Sequence, residues 1–219
     1  MAKRKTRKKT VRKPPEKRLC ELIIIWGRNG TGKSTMAKQL MDGIGGRRLL
    51  VTKTGAPKIW HDVPIINVTN KAHYKFQNQT RQVLARLRDD NPSPGKNDTF
   101  INIYDNYRNG ILMLDDCMQY LEANTTNVPG LKDILIEYRH RMLDVFLIVH
   151  GPEQLPPKIW DHASGVVIMS TPRLLNPNRL KIDGAEDIYN AQKRVNEKFK
   201  AAKARGDESH YGIYEFVAI

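Results

Sequence analysis

The sequence predicts a three-layer α/β domain built on a mainly parallel sheet. Three observations predict it. Short, wholly apolar, β-branched runs recur along the chain, the pattern of strands buried on both faces. They alternate with longer segments whose apolar residues keep helical spacing. A glycine-rich connection joins the first such run to the first helical segment, at the strand end where open α/β sheets bind ligands.

The first strand is Leu22-Ile23-Ile24-Ile25-Trp26, closed by Gly27. A helix is predicted from Lys33 to the glycines at 43, 45 and 46, where backbone freedom stops it. Residues 49–52 and 65–68 are strand candidates. Over residues 71–88, Phe76, Val83, Leu84 and Leu87 recur at helical spacing between basic residues, predicting a helix. Asn91-Pro92-Ser93-Pro94-Gly95 is a turn-rich break, and the preceding Asp89-Asp90 reads as a solvated turn. Residues 111–114 form a further buried strand. After Pro129-Gly130, the residues Leu131, Ile134, Leu135, Tyr138 and Met142 make one face of an amphipathic helix. Residues 145–149 and 166–169 are two more apolar strands. Ile188, Val195, Phe199 and Ala202 put a narrow apolar stripe on a highly charged helix, and residues 212–219 close the chain as a terminal strand. No internal repeat is evident.

Charge is the second organising feature. Among 219 residues, 37 Lys and Arg face 23 Asp and Glu, a formal net charge of +14. Residues 1–18 hold ten of those cations against Glu16 alone, so removing their +9 leaves +5 for the rest. A run this basic and poor in large apolar residues cannot bury enough surface to offset its ordering entropy. It reads as a flexible arm suited to gripping nucleic acid through phosphate contacts and counterion release. The boundaries that follow are an arm at 1–18, a nucleotide-binding domain at 19–183, and a charged helix with a terminal strand at 184–219 packed on the same domain. The apolar run 22–26 is too short for a signal peptide, and no stretch approaches the roughly 20 apolar residues of a membrane span. A soluble, cytoplasmic protein is expected. The two cysteines, Cys20 and Cys117, flank strands of the sheet and read as small buried hydrophobes. They make neither a metal spacing nor a disulfide framework.

The connection after the first strand, Gly27-Arg28-Asn29-Gly30-Thr31-Gly32-Lys33-Ser34, fits G-x-x-x-x-G-K-[ST] without mismatch. Its glycines permit the backbone turns that aim successive N–H groups at an anion, and the helix N-terminus adds its positive dipole end. Residues 27 to 34 together with Thr35 therefore form a cradle for a nucleoside triphosphate. Lys33 is placed to reach the β- and γ-phosphates, and Ser34 to ligate Mg²⁺. A second element, Gly110-Ile111-Leu112-Met113-Leu114-Asp115-Asp116, ends a strand in two carboxylates. If that strand lies beside the first, Asp115 shares the Mg²⁺ and Asp116 orients or deprotonates the attacking water. A third, Val145-Phe146-Leu147-Ile148-Val149-His150, ends in a polar residue able to sense the γ-phosphate. No Asn/Thr-Lys-x-Asp guanine-reading motif is present, which favours ATP over GTP.

Taken in this order, the segments resemble the FtsK–HerA superfamily of DNA-pumping ATPases. They are most similar to the compact genome-packaging ATPases of poxvirus-like and internal-membrane viruses. The resemblance spans residues 22–171 and includes Arg139-His140-Arg141 and, after His150, the segment Gln154-Leu155-Pro156-Pro157-Lys158-Ile159. The second acid is often glutamate in that family, where this chain has Asp116, and the sensor is often glutamine, where it has His150. The resemblance implies a P-loop NTPase fold of the RecA/ASCE type and hydrolysis of ATP with Mg²⁺. It also implies a homo-oligomeric ring on double-stranded DNA, with a capsid or portal partner. In such rings an arginine from the neighbouring subunit completes each site, and Arg139, Arg141 and Arg173 are the candidates. A filamentous-phage assembly ATPase shares the motifs. A P-loop phosphotransferase acting on nucleotides or polynucleotides, or a nucleotide-gated DNA-binding module with little hydrolysis, are the competing readings.

Overall fold

The computed structural model describes residues 19–53, 58–85, 99–117, 128, 130–180 and 182–219. The basic arm, Asp89-Asp90 and the break at 91–95 lie outside them. The apolar runs become strands β1 (Leu22–Trp26), β2 (Arg48–Lys53), β3 (Thr80–Ala85), β4 (Gly110–Leu114), β5 (Leu143–Val149), β6 (Gly165–Met169) and β7 (Tyr214–Ala218). They form one sheet in the order β3-β2-β4-β5-β1-β6-β7. All neighbours are parallel except β7, which runs antiparallel to β6. Every residue of β1, β4 and β6 is buried, as strands covered on both faces require.

The helices are α1 (Lys33–Gly43), α2 (Thr99–Asn106), α3 (Leu131–Glu137), α4 (Pro157–Trp160) and α5 (Ala185–Ala204). Period-two alternation within the strands sorts the core into two halves. Ile23, Ile25, Ile111 and Met113 point to the side where Ala37 and Met41 of α1 pack with Trp60. Leu22, Ile24, Trp26, Leu112 and Leu114 point to the other side, against Phe100 and Ile103 of α2, Leu131 and Ile134 of α3, Trp160 of α4 and Ile188 of α5. Each such large side chain contributes about 1.5–3 kcal/mol by leaving water, so the sheet's centre is the stable part of the molecule. Both cysteines are buried, and neither is in a disulfide. No described helix is long and apolar enough to cross a membrane.

Four expectations are corrected. Residues 71–85 of the predicted helix at 71–88 are not helical, its last three residues lying outside the described ones: a single 3-10 turn, Lys71–Tyr74, is capped by the Asn70 side chain, and Asn78 then turns with φ 49° into β3. Pairing with β2 along Thr80–Ala85 outweighs the local spacing, and Gln82 is buried by donating to Thr52 Oγ1 at 2.6 Å. Residues 65–68 stay outside the sheet apart from an isolated bridge between Ile65 and Gln82. Pro64 O and Ile66 N complete that bridge with Gln82, and Asn67 then starts a turn by accepting from Thr69 N, which ends the pairing. The helix beginning at Leu131 ends at Glu137, and Met142 lies exposed at φ 56°. There the chain must reverse to enter β5, so Leu143 N donates to Tyr138 O instead of continuing the helix. Finally, β4 is not next to β1, because β5 is inserted between them. The terminal helix and strand lie against the sheet: Arg194 and Lys198 of α5 both pair with Glu215 of β7.

Candidate nucleotide-binding site

The loop at 27–32 leaves β1 at the carboxyl edge and is stitched to both neighbouring strands. Gly27 N donates to Val149 O and Arg28 N to Ser170 O. Thr31 Oγ1 closes the loop internally by donating to Arg28 O at 2.8 Å. Two glycines are obligatory here. A Cβ on Gly27 would stand 2.6 Å from Met169 Cβ, and one on Gly32 would stand 2.1 Å from the Tyr211 carbonyl oxygen. Gly32 also has φ 89°, a conformation that costs an L side chain free energy, and it initiates α1.

Lys33 and Ser34 open α1, and the carboxylates after β4 meet them across the edge of the sheet. The Lys33 side chain is buried, its ammonium donating to Gly27 O at 2.5 Å and Arg28 O at 3.0 Å. Burial lowers its pKa to about 8, against the opposing attraction of Asp115 and Asp116. Ser34 Oγ lies 3.4–3.5 Å from both oxygens of Asp115. Asp115 is 4 % exposed and accepts a 2.5 Å hydrogen bond from Trp60 Nε1. Burial raises its pKa, with the Trp60 and Ser34 hydrogen bonds opposing. A hydroxyl and a carboxylate oxygen are hard donors that suit Mg²⁺. So few protein ligands leave the remaining coordination to phosphate oxygens and water, this ion's usual arrangement in phosphotransfer sites.

His150, at the end of β5, bridges the two halves. Its Nδ1 is 3.3 Å from the Lys33 ammonium and its Nε2 is 3.3 Å from Asp116 Oδ1. Lys33 has only protons to give, so the geometry selects the tautomer whose Nδ1 accepts and whose Nε2–H donates to Asp116. Asp116 holds φ 51°, an uncommon conformation for a residue other than glycine, and this directs its carboxylate back toward His150. Asn29, Gly30, Lys33, Ser34, Thr35, Asp115, Asp116 and His150 thus line one cavity of about 410 Å³.

The buried lysine has a thermodynamic consequence. Its folded pKa lies below the ordinary 10.5, so the folded state carries a full penalty below pH 8 that fades as the pH rises toward 10.5. Wild-type stability, measured by urea unfolding in chelator relative to Lys33→Met, is expected to rise across that window by up to about 3 kcal/mol. Parallel stability curves for the two proteins would contradict the burial argument.

The arginines separate. Arg173 is exposed just beyond β6, at the same sheet edge as the loop. Arg141 precedes β5, at the opposite edge and about 20 Å away along the strand. It is 5 % exposed, with its guanidinium carbon 3.9 Å from the Tyr104 ring centroid. Its helical spacing from Tyr138 marks it as near the packed face, and it is in fact packed into it. Arg139 is exposed at that same far edge, over the Tyr138 ring.

Solved structures share this architecture. The genome packaging NTPase B204 from Sulfolobus turreted icosahedral virus 2, in complex with AMP, superposes with a TM-score of 0.59 over 81% of this chain and 87% of that chain, at 15% identity. The same protein in complex with ATP-gammaS gives 0.56 over 81% and 86%, again at 15% identity. The DNA-packaging ATPase B204 from Sulfolobus turreted icosahedral virus gives 0.57 over 81% and 87%, at 15% identity. The chain has the fold of these packaging NTPases. No protein-family model matches the sequence, and no curated protein matches it. In this chain the strand inserted between β1 and β4 is β5, and that insertion carries His150 between the loop and the acids.

Two residues at this edge escape sequence reasoning. Trp60 lies 55 positions before the Asp115 it contacts, in a segment with no motif. Tyr211 reaches Gly32 from the far end of the chain. Neither has a spacing signal, because only the tertiary fold brings them to the loop.

Proposed function

We propose that this chain is an Mg²⁺-dependent ATPase that moves nucleic acid, a genome-packaging type of motor working as a homo-oligomeric ring on double-stranded DNA. The observation that carries the reading is the continuous contact from Lys33 through His150 to Asp116, beside the Ser34–Asp115 pair. A phosphate-binding lysine is thereby wired to a general base in one cavity. When bound, Mg²⁺ would draw charge from the phosphate oxygens, held by Ser34 and Asp115. Asp116 would orient a water for in-line attack on the γ-phosphorus and take its proton as the bond to the β,γ-bridging oxygen breaks. Lys33 neutralises charge on the transferring group, and His150 keeps Asp116 and Lys33 in register. The exposed Arg173 is the candidate to complete a neighbouring subunit's site, since it stands at the loop's edge with its side chain at the surface.

Movement of DNA is supported by charge as well as by the fold shared with the packaging NTPases. Backbone tracking needs positive charge and no base readout. Of the net +14, residues 1–18 supply most, and the remainder is itself basic. The test is phosphate release with and without double-stranded DNA, alongside sizing in ATP. Stimulation by DNA and a nucleotide-dependent multimer are expected. Deleting residues 1–18 removes ten cations; it is expected to weaken DNA binding and to flatten the slope of log affinity against log salt by several units. An unchanged slope means the arm does not touch phosphates. Activity that ignores DNA but requires a small phosphate acceptor favours a phosphotransferase instead.

A further inference from the structure

The acids and His150 lie on the β4–β5 side of the loop, so the γ end of a triphosphate laid across residues 27–35 faces that side. Its α end, and the nucleoside attached to it, then faces β6 and β7. There the structure has an aromatic array. The Arg28 guanidinium carbon sits 5.3 Å from the Phe199 ring centroid. Phe199 meets His210 edge-on at 5.3 Å, and His210 lies against Tyr211 at 3.9 Å with an interplanar angle of 37°. The turn Glu208–Gly212 that carries both rings is seated on the loop itself, its Tyr211 carbonyl filling the space where a Gly32 Cβ would be. His210 is held in the turn by a hydrogen bond between its Nδ1 and Asp207 O. Tyr211 remains 53 % exposed, while Phe199 beneath the array is buried. Beside it, a groove of about 920 Å³ between β6 and α5 begins at Arg28 and Phe199, volume enough for a nucleoside.

We propose that the Glu208–Gly212 turn is the nucleoside-side wall of the site, with the exposed Tyr211 ring stacking on the base of the bound nucleotide. The proposal rests on reading residues 27–35 as the triphosphate cradle. Tyr211 is about as exposed as Tyr214 and Phe216 of β7, but of the three it alone belongs to the turn seated on the phosphate loop. Braced by His210 and anchored on Gly32, it is a preorganised platform for a π-faced ligand. Stacking takes any base, so the wall adds affinity for the nucleoside without reading its identity.

The test compares two ligands on the full chain by calorimetry: ATP, which has a base, and inorganic tripolyphosphate, which has none. Tyr211→Ala is expected to weaken ATP binding by about tenfold, with Tyr211→Phe close to wild type and tripolyphosphate affinity changed by less than about twofold in both. In Tyr211→Trp, ATP should alter the new indole's fluorescence and tripolyphosphate should not. Unchanged ATP affinity in Tyr211→Ala overturns the wall. Equal losses of ATP and tripolyphosphate also overturn it, since Tyr211 would then only brace the Gly32 turn. Wild-type protein that binds neither ligand overturns the cradle reading itself, and the wall with it.

Discussion

Replacing Lys33 by alanine is expected to lower ATP turnover by about a thousandfold, the largest single effect anticipated for this chain. The loop itself dictates the position of this lysine, with the ammonium tethered to the Gly27 and Arg28 carbonyls and against His150. Held by neutral acceptors in a buried setting, it meets a phosphate with little reorganisation, which is where electrostatic stabilisation is strongest. The cost is visible in its pKa of about 8, set by burial. Removing the side chain relieves that cost, so the variant should be at least as stable as wild type at neutral pH while inactive. Steady-state phosphate release paired with thermal melting checks both halves. Turnover within about tenfold of wild type would sink the assignment of Lys33 as the phosphate-neutralising group.

Asp116→Asn is expected to lower kcat by about a hundred- to a thousandfold while ATP affinity stays within about threefold. The carboxylate contributes the proton acceptor, and the amide that replaces it keeps the shape but not the basicity. His150→Ala should produce a loss of its own, because it releases Asp116 on one side and Lys33 on the other. The two changes act on one contact chain, so the double variant should be little worse than the poorer single one. His150→Gln, which keeps a polar group of similar reach, should retain more activity than His150→Ala. Losses that add fully in the double variant would show that His150 and Asp116 work independently, against the bridge between them.

Much of this site is legible in the residues alone. The loop, Asp115, Asp116 and His150 each end an apolar run, and a parallel sheet brings the carboxyl ends of its strands to one edge. Most strands follow from apolar composition in the same way, and β1, β4, β5 and β6 fall within a residue or two of the runs. The failures share a cause. Residues 80–85 carry apolar side chains at a spacing that also suits a helix, and β2's open edge decides between the two states. Arg141 looks available because its neighbours set a helical face, yet the helix ends at Glu137 and the turn buries the arginine over Tyr104. Strand order is likewise invisible, since composition says that a strand is buried but not which neighbour buries it.

By itself the sequence determined the phosphate loop, the α/β class, the acids and histidine at strand ends, and the imbalance of charge. Those are local properties, set by glycine's freedom, by apolar runs and by the charges of neighbouring residues. Tertiary structure alone decided that β5 separates β4 from β1, that Trp60 holds Asp115, that His150 links Lys33 to Asp116, and that Tyr211 rests on Gly32. Each of these joins residues distant in sequence. Such contacts depend on which surfaces the whole chain buries together, a competition no local pattern records.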